Sequence, residues 1–251
     1  WQYSGSCSNP WEDSNDPYSF FQGDPLCEVF QRASANGMTI GVNAHHLSTH
    51  IGERDQLRYL KSCGISIVRF WAYPNIGSGA STARATVDAI TSEGMRAIPV
   101  ICDYSNTCTE LGITGTTRAD PTSWYETGYK TVYDPKYGSY LDYARRLKSA
   151  LSGASLFGIE LLNEPHCGGK EACVQPYANW AKDMASVLGG TVGIGQKANE
   201  NTTRGDSPGA GSPPDFTVSN RYVGTASAHF YNPQEKALSI EAATQAKALG
   251  K

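Results

Sequence analysis

Neither sign of charge dominates this chain: 21 Lys+Arg stand against 24 Asp+Glu in 251 residues, a formal net charge of −3. No Lys/Arg run is longer than Arg145-Arg146, so the basic stripe that binds nucleic acid or an anionic membrane surface is missing. Long apolar runs are missing too. Ile65–Trp71 and Ala97–Cys102 have the length of strands, far short of the roughly 18 residues that span a bilayer. The seven cysteines contain no C-x-x-C pair, which removes the usual zinc pattern. No Gly-x-Gly-x-x-Gly follows the first strand candidate, which removes the phosphate cradle of dinucleotide-binding folds. The chain begins at Trp1 with no charged leader or apolar signal core, and this start fits an N-terminus left by leader removal.

What is present describes one globular domain: 39% hydrophobic residues, 18% charged, and a length ample for a large core. Residues 1 to 37 are polar and rich in Asn, Asp, Ser and Pro, and they read as a loop-rich cap ahead of a β/α domain over 38–251. From there short β-branched runs alternate with helical patterns. Strands are predicted at Thr39–Ala44, Ser66–Ala72, Arg96–Cys102, Phe157–Leu162, Thr191–Gly195 and Val223–Phe230, with helices at about 53–63, 80–93, 138–151, 174–188 and 234–249. Alternation implies parallel strands joined by crossover helices. The strands run into long polar loops (Asp103–Lys136, Gln196–Arg221), whereas the returns are short and marked by Gly64 and Gly94. That asymmetry belongs to a (β/α)8 TIM-barrel type fold, with a doubly wound open sheet as the alternative. About six βα units are counted where a closed barrel has eight, so strand seven is expected beyond Lys251.

The cysteines suit an oxidising compartment, with Cys102/Cys108 and Cys167/Cys173 each enclosing a short loop and Cys7/Cys27 able to staple the cap. Cys63 is then left over, as a buried thiol or with a partner outside this sequence. Asn201-Thr202-Thr203 is the one N-glycan acceptor. These features together predict a secreted protein.

The sharpest motif is Ile159-Glu160-Leu161-Leu162-Asn163-Glu164-Pro165, an apolar fourth strand ending in Asn-Glu-Pro. With Val68-Arg69-Phe70-Trp71 on the second strand and His229-Phe230-Tyr231 on the sixth, it resembles the clan A glycoside hydrolases. Within that clan the layout resembles glycoside hydrolase family 5, of endo-β-1,4-mannanase and cellulase type. The segments Arg69-Phe70-Trp71-Ala72-Tyr73, Ser123-Trp124-Tyr125 and Asn163-Glu164-Pro165-His166-Cys167 tip the resemblance toward mannanases. It implies a retaining endo-β-1,4-glycosidase acting on a polysaccharide, with no metal or organic cofactor. It makes Glu164 the general acid/base, and Asn163 a hydrogen-bond partner of the sugar 2-OH. His229 and Tyr231 become contacts to sugar and nucleophile. The nucleophile would be a Glu ending strand seven.

The residues themselves add their own constraints. Arg69 lies in an apolar strand, where an unpaired cation is costly, so it needs a carboxylate; the resemblance makes that carboxylate the nucleophile, and a structural ion pair is the alternative. Glu160 shares strand parity with Glu164 but lies four residues deeper, about 13 Å at roughly 3.3 Å each, whereas retention needs carboxyl groups ~5.5 Å apart. Glu160 is thereby excluded as nucleophile. Asp103 ends the third strand and could line the cleft, without a catalytic assignment. Sugar rings present apolar faces to aromatic platforms, so Trp71 and Trp124 are read as sugar contacts, and Tyr125, Tyr129, Tyr133 and Tyr137 as part of the same aromatic-rich loop. Tyr140 and Tyr143, spaced i, i+3 ahead of Leu147, are read as helix core. His46, in His45-His46 at the end of strand one, is read as a sugar contact or a structural histidine rather than a metal ligand. A different class of function stays open: an extracellular glycan-binding or matrix protein on the same fold, without a nucleophile.

Overall fold

The computed structural model describes residues 25–37, 39–44, 47, 54–103, 108–163, 165, 167, 171–189, 192–197 and 227–229. Six strands form one sheet: β1 (Gly41–Asn43), β2 (Ile67–Trp71), β3 (Arg96–Val100), β4 (Ile159–Asn163), β5 (Val192–Lys197) and β6 (Ser227–His229). Their order in the sheet is their order in the chain, and every pairing is parallel. A doubly wound sheet reverses its strand order at a switch point. This sheet has no reversal, so its crossovers all advance in one direction, as in a barrel wall. All five residues of β2 and all five of β4 are buried; a parallel sheet covered on both faces requires such runs.

Helices cover the outer face. Arg54–Ser62 (α2) follows β1, Ala80–Ser92 (α3) follows β2, Tyr140–Ala150 (α6) follows β3 and Glu171–Leu188 (α7) follows β4. Neighbours pack in sequence, α2 on α3, α3 on α6 and α6 on α7. Each buries a stripe at helical spacing: Ala83, Thr86, Val87 and Ile90 on α3, and Tyr140, Tyr143, Ala144 and Leu147 on α6. Ser139 starts α6 with a capping box, its hydroxyl accepting from the Asp142 N–H while the Asp142 carboxylate accepts from the Ser139 N–H.

Two regions depart from the sequence reading. Part of the expected N-terminal loop is a helix, α1 (Pro25–Ala35). The long segment after β3, expected as loop, holds two five-residue helices, α4 (Gly115–Ala119) and α5 (Thr122–Glu126), and 3-10 turns at Thr109–Leu111 and Gly128–Lys130. Helices this short fall below the window in which periodicity is detectable. Gly112, at φ +81°, closes the first of these turns, and the Tyr133 ring covers it where a Cβ would overlap.

Cys102–Cys108 and Cys167–Cys173 pair as expected, but Cys27 pairs with Cys63, not with Cys7. The helical form of α1 is the reason. Phe30 and Cys27 on α1 pack against the core, Gln31 donates to the Ser62 carbonyl at 2.9 Å, and Cys27 thereby reaches the end of α2. Cys63 is no leftover thiol, and Cys7 lies outside the described residues.

Candidate active site

Arg69 is the centre of the site. It is the third residue of β2, 6% exposed, and two other strands, β1 and β4, supply its partners. Its Nε donates to Glu160 Oε2 at 2.8 Å, and Nη2 donates to Glu160 Oε1. Nη2 also donates to Asn163 Oδ1 at 2.8 Å, and Nη1 to Asn43 Oδ1 at 2.9 Å. These bonds use four of the five guanidinium donors. Burial opposes the guanidinium charge most strongly, but the Glu160 carboxylate, joined by Tyr73 and Asp103, offsets that cost, and the Arg69 pKa is raised above its ordinary value. The partner of Arg69 among the described residues is thus Glu160, the paired fork in which arginine is strongest. The signal was present in the sequence: two opposite charges, each alone in an apolar strand, each costly to bury without the other.

A β-bulge makes this arrangement possible. Glu160 pairs with Gly193 and Asn163 with Gly195, so three steps on β4 oppose two on β5. In a regular strand residues three apart face opposite sides. Here the bulge turns both Glu160 and Asn163 onto Arg69. It also takes Leu161 out of the regular ladder, and the Leu161 carbonyl accepts instead from the Tyr140 hydroxyl of α6 at 2.7 Å.

Asn163 ends β4 at the C-terminal side of the sheet, where Asp103 bridges to it beyond β3. Its amide is held at both ends: Oδ1 by Arg69, and Nδ2 by donation to Asp103 Oδ1 at 2.9 Å. Asn163 and Asp103 are 8% and 2% exposed. Tyr73 lies over the same group. Burial, reinforced by Asp103, raises its phenol pKa well above the ordinary value, so it stays protonated through neutral pH. Trp71, two residues after Arg69, stacks at 5.2 Å from Tyr73 and under the Arg69 guanidinium at 5.0 Å. The strand alternation Arg69, Trp71, Tyr73 therefore lines one polar, aromatic wall.

Of the predicted site residues, the structure gathers Arg69, Asn163 and Trp71. Trp124 is a correction. It is 3% exposed, donates from Nε1 to the Leu111 carbonyl at 3.1 Å, and packs against Tyr125, Tyr129, Tyr140 and Trp180. It is core between α5, α6 and α7, with no face for a sugar. Tyr125 and Tyr129 are buried with it, Tyr137 is half-buried, and Tyr133 remains exposed. Tyr140 and Tyr143 are buried, as their spacing predicted. His229 belongs to β6. Glu164, His46, Tyr231 and Asn201 lie outside the described residues. Among the described residues no cluster of His, Cys, Asp or Glu has the makings of a metal site, and no helix is long and apolar enough to cross a membrane.

No family model matches the chain, and no curated protein matches its sequence. Among solved structures it is similar to the endo-beta-1,4-mannanase from Thermotoga petrophila, with a TM-score of 0.61 and 17% identity, over 85% of this chain and 59% of that one. The beta-mannanase from blue mussel, Mytilus edulis, gives a TM-score of 0.42 and 14% identity over 76% of this chain and 64% of that one. The endoglucanase Cel5A from Pseudomonas stutzeri gives 0.42 and 15% over 79% and 56%. Likenesses this loose carry no argument. The chain spans about three fifths of the length of the Thermotoga enzyme. At 17% identity the match establishes architecture. Six parallel strands in chain order, walled by helices, are therefore part of a (β/α)8 TIM-barrel type fold, the fold of that mannanase.

Proposed function

We propose that this protein is a secreted retaining endo-β-1,4-glycosidase, with mannan favoured over cellulose or other β-glucans as substrate. The observation that carries the reading is the buried Arg69–Glu160–Asn163–Asp103 group, set at the C-terminal side of the sheet one residue before Glu164. Function on a barrel resides at that end of the strands, and a hydrogen-bonded polar group this dense costs too much to bury for packing alone. The preference for mannan rests on the motifs Arg69–Tyr73 and Asn163–Cys167.

In this reading Glu164 protonates the leaving glycosidic oxygen and then, as base, activates the water that releases the glycosyl-enzyme. The second carboxylate belongs on a strand that continues the sheet past β6. Asn163 donates to the sugar 2-OH, and Trp71, buried between Arg69 and Tyr73, backs the sugar site without offering it a ring face. His46, His229 and Tyr231 complete the cleft, and Asn201 carries an N-glycan. No cofactor takes part. Glu160, spent on Arg69, takes no part in bond cleavage.

Glu164→Gln in the full-length protein tests the reading. Hydrolysis of soluble β-mannan and of β-1,4-glucan is expected to fall by at least about 10³-fold, while oligosaccharide binding by calorimetry stays within a few-fold. A wild-type protein that binds these oligosaccharides and cleaves none would replace the enzyme with a glycan-binding protein on the same fold.

A further inference from the structure

The side-chain amide of Asn163 is held at both ends. Arg69 can only donate, and it donates to one end of the Asn163 amide. Asp103 presents a carboxyl oxygen, and it accepts from the other. A flipped amide would set its NH2 against the guanidinium and its carbonyl against the carboxyl oxygen. Both contacts would then be repulsive. The two neighbours come from different strands, and each is itself fixed. Arg69 is pinned by Glu160 and by Asn43. Asp103 is bridged to Asn163 through the backbone, with the Asn163 N–H donating to the Cys102 carbonyl at 2.9 Å. The Cys102–Cys108 disulfide anchors the same turn one residue before Asp103.

We infer that Asp103 is a positioning residue for the reaction: it holds the Asn163 amide so that the remaining Nδ2 hydrogen, and not the carbonyl, faces the ligand. The inference rests on the glycosidase reading above. A donor so held recognises a hydroxyl oxygen of the sugar as acceptor. With its oxygen occupied by this donor, the hydroxyl turns its own proton outward to a second acceptor, and that donation strengthens as positive charge grows on the ring. An amide free to rotate would present donor and acceptor in turn and lose that bias. Pre-orientation of this kind acts on the transition state more than on ground-state binding, so it is expressed in kcat. Glu160 acts one step further back by fixing Arg69.

The experiment is a double-mutant cycle on the full-length enzyme with a soluble β-1,4-mannan oligosaccharide, using Asp103→Ala, Asn163→Ala and the double variant. Asp103→Ala should lower kcat by roughly 10- to 100-fold with KM changed less than about threefold. The double variant should be no slower than Asn163→Ala alone, because Asp103 has nothing left to orient. Additive losses would overturn the inference, as would an unchanged kcat. Asp103→Asn, which keeps the volume and an acceptor oxygen, guards against misfolding of the alanine variant. It should recover most of the lost kcat; equal inactivity of the Asn and Ala variants would defeat the orientation argument. A readout independent of turnover separates this inference from the function itself. With selective 15N-asparagine labelling, the Asn163 side-chain protons are identified by their loss in Asn163→Ala. The proton bonded to Asp103 should move upfield and exchange faster with solvent in the Asp103 variant. An unmoved Asn163 signal overturns the positioning role even if the protein is a glycosidase. A moved signal in a protein that cleaves nothing removes the enzyme reading and leaves the clamp standing.

Discussion

The protein buries two groups of large polar-capable side chains, and they are built in opposite ways. Between β1, β2, β4 and the end of β3, Arg69, Glu160, Asn163, Asn43 and Asp103 meet through hydrogen bonds. Behind the sheet, between α5, α6 and α7, Trp124, Tyr125, Tyr140, Tyr177 and Trp180 meet through ring edges and faces at centroid distances of 5.0–6.0 Å. The first group is a poor way to gain stability, because desolvating charges offsets most of what their pairing returns. The second is a good one, since aromatic rings bury large apolar areas and gain a further increment from edge-to-face contact. A protein selected for stability alone would extend the second arrangement and dispense with the first. The polar group lies toward the end of the strands where barrels carry function, and the proposed site rests on it; the aromatic group is scaffold.

The comparison is broken most forcefully at Glu160. Glu160→Ala leaves Arg69 buried without its main counter-ion and should cost about 3–5 kcal/mol of unfolding free energy in urea. Replacing both partners, Arg69→Met with Glu160→Leu, should recover most of that loss while hydrolysis disappears. A double variant as unstable as the single one would mean that the pair is itself a stabilising element and that the contrast fails. Next in size is an alkaline challenge. Burial raises the phenol pKa of Tyr140 in the aromatic group, of Tyr143 beside it and of Tyr73 at the site above the ordinary 10.0. Below pH 10 both folded and unfolded chains keep these protons. Above it the unfolded chain loses them first, so stability is fully present below the unfolded value and is lost as pH rises toward the folded ones. The melting temperature should fall progressively above pH 10, and Tyr140→Phe should flatten that fall. The smallest effect is expected at Trp124. Trp124→Phe deletes the N–H that serves the Leu111 carbonyl and opens a cavity among the rings packed on it, so it should cost about 2 kcal/mol and leave KM for any oligosaccharide unchanged. A raised KM would return Trp124 to the binding cleft.

The same contrast explains what the sequence revealed and what it hid. Strands β2 and β4 stood out because a barrel wall covered on both faces demands unbroken apolar runs, and the polar exceptions within them, Arg69, Glu160 and Asn163, mark the site. Helices α3 and α6 followed from stripes such as Ala83, Val87 and Ile90. Trp124 misled because an aromatic in a polar segment has the same local signature whether it faces sugar or seals a short helix against α7; only three-dimensional packing separates the two. Cys27–Cys63 escaped because connectivity depends on which elements come together, and spacing does not encode that. The bulge in β4 had no sequence signal at all, since Leu161-Leu162 reads as uninterrupted strand.

That bulge also sets a rule for insertion and deletion. A β-strand keeps time by two, and the extra step between Glu160 and Asn163 shifts its phase once. Regular pairing over the same residues would send Asn163 to the face opposite Glu160, away from Arg69. Deleting Leu161 or Leu162 would remove the extra step and the bulge together, so that Glu160 and Asn163, then two apart, would still share a face. Length and pairing in this strand therefore go together: the extra residue and the bulge compensate, and either one changed without the other would turn Asn163 away from its partners.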